Sequence, residues 1–325
     1  MKNPFLTELC FYLRNAYPPF VRQIFPCPIK DYIPVFISHK VSPIDFEKKL
    51  FFLKENGYKT CKVSELYSFV SGKCILSGTT VCLTFDDVHE SFYSVAYPLL
   101  KKYGFTATAF ITPMFIGSKY WISWPQIQEL AKTDTVEFQS HTLEHKRIFV
   151  SDRIVANFTE GLFKNELWLD RPTVIINGKE TKDIPNDFPL YEMDSRMSDK
   201  PRYFSRGVWE TKKEQSDAIL FDLKESKRIL EEKTQKPILH LAYPWGIGSN
   251  LSVKLCKDAG YLSNFWGPTH GIPYNKVGSD PYKLIRLKDD YIFRLPGKGR
   301  ISLGSVFLKK FIRRTTAKQK GKDIY

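Results

Sequence analysis

Two short stretches of this 325-residue chain combine residue types that can do chemistry together. Thr84-Phe85-Asp86-Asp87 ends an apolar run in paired carboxylates, and Ser140-His141-Thr142-Leu143-Glu144-His145 sets two histidines four residues apart. Adjacent acids at the end of a buried strand repel and lose hydration, so they need a compensating positive charge, for which a bound metal is the natural candidate. Side chains alternate along a strand, so one Asp can ligate the ion while the other handles a proton. Histidines at this spacing share a face if the chain turns helical after the strand, and both imidazoles can then meet one ion. Two imidazoles and one carboxylate leave coordination positions for water and substrate, which marks a catalytic site rather than a structural one. Alone, an Asp-Asp pair is commonly a turn or cap and a His-x3-His pair is often incidental. Joint placement at strand ends is what favours the metal.

The elements that must position these residues alternate between short β-rich runs and helical patterns. Residues 33–38 read as a strand, after which Ser42-Pro43 opens a helix with Ser as N-cap and Pro at the first helical position. Phe46, Leu50 and Leu53 follow at helical spacing, and Gly57 closes that helix. Residues 81–85, 105–111, 136–138, 238–243, 261–265 and 283–287 read as further strands. Helices are predicted over 90–103, after Ser123-Trp124-Pro125, over 221–233 and over 250–259. This order argues for an α/β fold with parallel strands, and a barrel would collect every strand's C-terminal end on one face. Residues 149–210 break the rhythm with Arg171-Pro172, Ile184-Pro185, Phe188-Pro189 and Lys200-Pro201 and few periodic apolar positions. They read as a long insertion over the barrel mouth rather than a separate domain, with disorder as the alternative. The expected organisation is an extension at 1–32, a barrel over 33–290 and a basic tail at 291–325.

Composition bounds the partners. Apolar residues make up 42% and charged residues 26%, an ordinary globular balance. No run approaches the ~20 apolar residues of a membrane-spanning helix. Glu8 and Arg14 interrupt the apolar residues near the N-terminus, and no small-residue cleavage site follows, so a cytoplasmic location is expected. The six cysteines form no Cys-x-x-Cys pair, and Cys82 and Cys256 read as small core residues. Net charge is +14, much of it local to 301–325 (Lys309, Lys310, Arg313, Arg314, Lys318, Lys320 and Lys322) beside Val306, Phe307, Leu308, Phe311 and Ile312. That stretch suits either a basic amphipathic helix resting on an anionic membrane at the inner face of the cell, or a solvated tail. No nucleic-acid reading motif accompanies the charge, so nucleic acid is not an expected partner.

Thr84-Phe85-Asp86-Asp87 and Ser140-His141-Thr142-x-x-His145 resemble the first two signature motifs of the polysaccharide deacetylases, the chitooligosaccharide deacetylase-like carbohydrate esterase family 4. Leu241-Ala242-Tyr243-Pro244-Trp245-Gly246 approximates the third, and Val41-Ser42-Pro43-x-x-Phe46 with Leu53-Lys54-Glu55-Asn56-Gly57-Tyr58 looks like the family's opening segment. The likeness covers about 33–288 without the insertion. It implies a distorted (β/α) barrel and one divalent metal, usually zinc, held by Asp87, His141 and His145, with Asp86 as general base. The reaction implied is removal of the N-acetyl group from an amino sugar, in which Asp86 takes a proton from water and a backbone N–H near Tyr243 helps hold the oxyanion.

Several positions depart from the pattern. Val88 stands where a Gly often follows the paired Asp, which makes that turn less permissive and brings His89 close by in a non-essential role. Ala242 stands where one common form carries an Arg that orients the base, and Arg286, at the end of the last predicted strand, is the substitute. The family's Leu-His motif for the general acid is absent, leaving His39 and His270 as candidates with His39 preferred; His240 reads as a core histidine. Tyr243, Trp245 and Arg286 are the candidate substrate-side residues, with Trp245 a stacking platform for sugar, while Trp121 and Trp124 suit either stacking or the core. A lipid-linked or nucleotide-linked sugar precursor carries phosphate, which suits the positive charge, and Arg196, Arg202 and Arg206 of the insertion could reach it. Hydrolysis of an O-acetyl ester, and a non-catalytic glycan- or lipid-binding module, are the rival readings.

Overall fold

The computed structural model describes residues 32–76, 78–160, 162, 171–205, 207–267, 275–306, 308, 309 and 312. Residues 313–325 of the basic tail and nearly all of the N-terminal extension lie outside the described residues. In chain order β1 (Val35–Ser38) leads to α1 (Pro43–Glu55), β2 (Lys59–Cys61), α2 (Val63–Val70), β3 (Thr80–Asp86), α3 (Tyr97–Tyr103), β4 (Ala107–Ile111), α4 (Trp124–Leu130) and β5 (Val136–Ser140). The insertion contributes β6 (Arg147–Asn157), β7 (Val174–Ile176), β8 (Lys179–Thr181), β9 (Pro189–Ser195), β10 (Tyr203–Ser205) and β11 (Val208–Trp209). Then come α5 (Lys212–Thr234), β12 (His240–Ala242), α6 (Asn250–Asp258), β13 (Ser263–Trp266), β14 (Leu284–Ile285) and β15 (Leu287–Lys288).

All pairings of the main sheet are parallel, in the order β14-β13-β12-β5-β4-β3-β1-β15, with β2 beside the start of β3. The two ends of that list are consecutive in the chain. One strand, expected at 283–287, is broken at Arg286: its first half pairs with β13 and its second half with β1. The sheet therefore comes round on itself as a nearly closed (β/α) barrel, and Arg286 sits at the seam.

Alternation sorts the side chains. Leu83 and Phe85 of β3 pack outward with Phe46, Leu50 and Leu223 in the layer between barrel and helices, and Phe85 meets Phe46 and Phe92 edge-on. Val35, Cys82, Phe110, Ala242, Phe265 and Leu284 fill the inside. Each large ring buried in this way contributes roughly 1.5–3 kcal/mol. A register slip of one residue in β3 would drive Phe85 inward and turn Asp86 out among the helices. The apolar pattern thus fixes which carboxylate faces the barrel.

The insertion is not the irregular segment that its prolines suggest. β6 pairs antiparallel with β9, β7 with β8 and β10 with β11, around a small core of Phe149, Phe158, Val174, Ile184, Leu190 and Tyr203. Arg196 and Arg202, which the sequence leaves either reaching substrate phosphate or lying in a solvated loop, are instead spent internally. Arg196 donates to both carboxylate oxygens of Glu210 at 2.7 and 2.6 Å, and Arg202 pairs with Glu180 and the Thr173 carbonyl. Arg206 lies outside the described residues.

Candidate metal and catalytic centre

The two sequence-derived stretches meet at the C-terminal mouth of the barrel. Asp87 follows the end of β3, and His141 and His145 follow β5; their ligand atoms all lie within 4.8 Å of one another. Asp87 Oδ1 stands 3.7 Å from His141 Nε2 and 3.8 Å from His145 Nε2, and all three residues are buried. His141 Nδ1 lies 2.8 Å from the Ala242 carbonyl, which can only accept, so Nδ1 carries the proton and Nε2 keeps its lone pair toward the cluster. Burial pushes His141 and His145 below the usual histidine range, His145 well below it, with His141 adding to the effect on His145. Two neutral imidazole nitrogens and a carboxylate suit a divalent ion with mixed N and O preference, so the residues present fit the metal.

The turn that brings His145 to His141 is not helical, contrary to the expectation from their spacing. Thr142 and His145 both adopt left-handed backbone conformations, with φ of 69° and 49°. Local bonds hold the loop in place of a helix. Thr142 N–H donates to Ser140 Oγ, His145 N–H to Thr142 Oγ1, and Leu143 N–H to Asp222 Oδ1 of α5 at 3.0 Å. Asp87 and Val88 are likewise left-handed, at 63° and 59°, and so is Trp245 at 54°. Five of the eight non-glycine residues with positive φ among the described residues therefore surround this site. Each costs on the order of 1–3 kcal/mol, which the fold sustains where geometry serves chemistry. Val88, β-branched and fully buried, is the sharpest case.

Asp86 points inward and is held by Arg286, whose two terminal nitrogens donate to its two oxygens at 2.5 and 2.8 Å. Both side chains are only 2% exposed. Burial alone would raise the Asp86 carboxyl, but Arg286, then His141, outweigh it and hold the group below the ordinary carboxylate value. Arg286, expected on the substrate side, thus engages the Asp86 carboxylate at the barrel seam. Asp86 Oδ2 lies 3.4 Å from His141 Nε2, which seats it beside the ligand cluster.

The remaining candidates divide. His39, at the end of β1, is within electrostatic reach of Asp86, His141 and His145; burial drives its pKa down to about 4, against an upward pull from Asp86. His270 lies outside the described residues. Trp245 packs on His145 with ring centroids 4.2 Å apart, and the Arg147 guanidinium lies 4.8 Å from the Trp245 ring. Gly246 lets this turn pass β13, since a Cβ there would stand 2.3 Å from Gly267 N. Tyr243, expected on the substrate side, is packed in the core. Its N–H donates to the Phe265 carbonyl, its hydroxyl accepts from Asn264, and its ring is buried between β13 and α6. His89 accepts from Ser91 N–H through Nδ1, and His240 pairs with Ser263 in the core. Sequence reasoning missed Asp222, whose signal was an acid beside the apolar positions Ile219, Leu223 and Leu230 of α5.

The model of the polysaccharide deacetylase family matches residues 75–263, more than half the chain. The chain belongs to the polysaccharide deacetylase family. Among curated relatives it is similar to the putative polysaccharide deacetylase YxkH of Bacillus subtilis, 32% identical over 121 residues, 35% of this chain and 43% of the relative. It is also similar to the poly-beta-1,6-N-acetyl-D-glucosamine N-deacetylase of Staphylococcus aureus, 35% identical over 111 residues, 32% of this chain and 38% of that one. The matches thus span less than half the length of these relatives. Among solved structures, the fold of this polysaccharide deacetylase is similar to a de-N-acetylase from Aggregatibacter actinomycetemcomitans, at TM-score 0.60 and 18% identity over 79% of this chain and 94% of that one. IcaB from Ammonifex degensii gives TM-score 0.55 and 18% identity over 85% and 94%.

Proposed function

We propose that the chain is a metal-dependent hydrolase that releases acetate from an N-acetylated amino sugar, with Asp86 as general base and His39 as general acid. The observation that carries this reading is the division of labour between adjacent carboxylates: Asp86 is clamped by Arg286 while Asp87 turns to the two imidazoles. A divalent ion held by Asp87, His141 and His145, most simply zinc, would supply electrophilic polarisation of the acetyl carbonyl and acidify the attacking water.

The protein's own groups do the rest. Asp86 is ionised at neutral pH and presents a fixed acceptor for a proton from water, because the guanidinium holds both its oxygens in plane. His39 enters the cycle neutral, so the proton that it hands to the departing nitrogen is the one that Asp86 takes from water, passed on to His39 before the nitrogen leaves. Trp245 offers an aromatic wall to a sugar ring beside His145. The named activity of the Staphylococcus aureus relative supports an N-acetylated hexosamine as substrate. A lipid-linked or nucleotide-linked precursor suits the net charge of +14. We place the enzyme in the cytoplasm, in peripheral contact with the inner membrane face through its basic tail.

One observation favours a second reading. A neutral His39 is a weak acid, and an O-acetyl ester, whose alkoxide leaves more readily than an unprotonated amine, needs less from it. Acetate release from matched N-acetyl and O-acetyl sugars by zinc-loaded protein separates the two. Release from the amide sustains the N-deacetylase reading; release from the ester alone replaces it.

A further inference from the structure

The barrel mouth has a second compartment that the reaction as described leaves unused. A cavity of about 410 Å³ opens beside His39, between the end of β1, the first turns of α1 and the segment that follows β15. That volume falls within the range of small-ligand pockets. Phe46 and Phe293 give it an apolar floor, while Lys40, Lys49, Lys288 and Lys309 face Asp45, Asp289 and Asp290 on its walls. Lys49 is buried and serves the wall itself. Its Nζ lies 2.5 Å from Asp45 and 2.9 Å from Asp289, whose Oδ2 also accepts the Ser38 hydroxyl at 2.6 Å. This internal group of one lysine and two aspartates fixes the strand end that carries His39. The other three lysines are exposed, Lys309 with its Nζ 5.4 Å from the Phe293 ring, and four lysines against three aspartates leave the cavity lining with one excess positive charge. Across the ligand cluster, Arg147 and Lys182 lie close enough to act on His145, so cations flank the reaction centre on both sides.

We propose that this cavity is the subsite for a phosphate group carried by the acetylated sugar, seated by Lys40, Lys288 and Lys309. The proposal rests on the deacetylase reading and gives the phosphate of the precursor a place to bind. His39 is the shared wall: it lines the cavity and stands within electrostatic reach of Asp86 and His141. Ammonium groups on flexible stems suit phosphate as point charges rather than as bidentate forks. A nucleoside-diphosphate sugar and a polyprenyl-phosphate sugar present the same chemistry at this position.

The test uses the full chain loaded with zinc and reads acetate release. Its substrates are a neutral N-acetylhexosamine oligomer, an N-acetylhexosamine 1-phosphate, a nucleoside-diphosphate N-acetylhexosamine and, in detergent, a polyprenyl-phosphate N-acetylhexosamine. The expected result is a KM for phosphorylated substrates about tenfold or more below that for the neutral oligomer. Inorganic pyrophosphate should compete with the phosphorylated substrates, and the preference should collapse in a Lys40→Gln, Lys288→Gln double variant. Equal KM values with no competition by pyrophosphate on the wild-type protein would overturn the proposal, whether or not the double variant folds. A preference for the nucleotide-linked or for the lipid-linked sugar would identify the source of the phosphate. Absence of acetate from every substrate would instead sink the deacetylase reading beneath it.

Discussion

In the insertion, Arg196 meets Glu210 through two hydrogen bonds and Arg202 meets Glu180, so each buried guanidinium has a carboxylate of its own. At the barrel mouth Asp86 has the same arrangement with Arg286, yet its neighbour Asp87 faces two neutral imidazoles at 3.7 and 3.8 Å, beyond hydrogen-bond distance. The insertion closes its electrostatics within itself, which is what a buried ion pair needs merely to be tolerated. The mouth pairs Asp86 in the same way and, beside that pair, gathers electron-pair donors around one point in left-handed turns. Paired buried charge serves the fold; converging donors serve a ligand.

The contrast breaks most sharply at the ligands. His141→Ala should abolish stoichiometric zinc binding and with it all measurable turnover, whereas Asp86→Asn should keep the zinc and lose about 10²–10⁴ in kcat. Metal content and acetate release measured on the same samples decide the matter. An Asp86→Asn protein with near-normal rates would remove the base from the mechanism.

Arg286→Met sharpens the half of the mouth that resembles the insertion. In the wild type the guanidinium overrides the upward push of burial on Asp86. Without it, burial prevails, the folded carboxyl rises, and the base is lost to protonation at a higher pH. The acid limb of kcat/KM against pH should therefore move upward, with activity falling as pH drops through a range where the wild type is still active. A limb that stays in place would show that Arg286 does not set the state of Asp86.

These residues were unequally visible in the sequence. Asp86, Asp87, His141 and His145 stand at the ends of runs whose apolar patterning is local, so residue type and position could be read together. Arg286 could only be guessed, because the strand that carries it is defined by pairing with β13 on one side and β1 on the other. The left-handed turns between His141 and His145 are not legible in residue type; long-range bonds such as Leu143 N–H to Asp222 hold them. The insertion was opaque for a related reason. β6 and β9 lie some thirty residues apart with two irregularities in register, and their core is six scattered side chains rather than a periodic stripe.

Within the insertion a broken pair should cost stability and spare the site. Arg196→Met leaves Glu210 buried without its guanidinium, a loss of about 3–5 kcal/mol. Zinc bound per folded chain should remain as in the wild type, since Arg196 belongs to a pair that is complete without the ligand cluster. Denaturant unfolding with parallel metal analysis reads both quantities. Loss of zinc from the folded variant would show that the two regions are not electrostatically separate.

Asp222 lies between the two regimes and predicts the smallest effect. It is a buried acid on α5 that accepts Leu143 N–H, and burial lifts its pKa from the ordinary 3.8 to about 7 despite that bond. The folded state therefore keeps a proton that the unfolded chain releases near pH 4. Unfolded chains bind fewer protons than folded ones between those two values, so this group's contribution to stability is full below pH 4 and fades as pH rises toward 7. Asp222→Asn retains an oxygen for the Leu143 N–H and removes the titration. Its Tm should exceed that of the wild type by about a few degrees at pH 8, with no gain at pH 4. An equal change at both pH values would mean that Asp222 is already ionised in the folded protein, and that the loop bearing the two histidines rests on a charge rather than on a neutral acid.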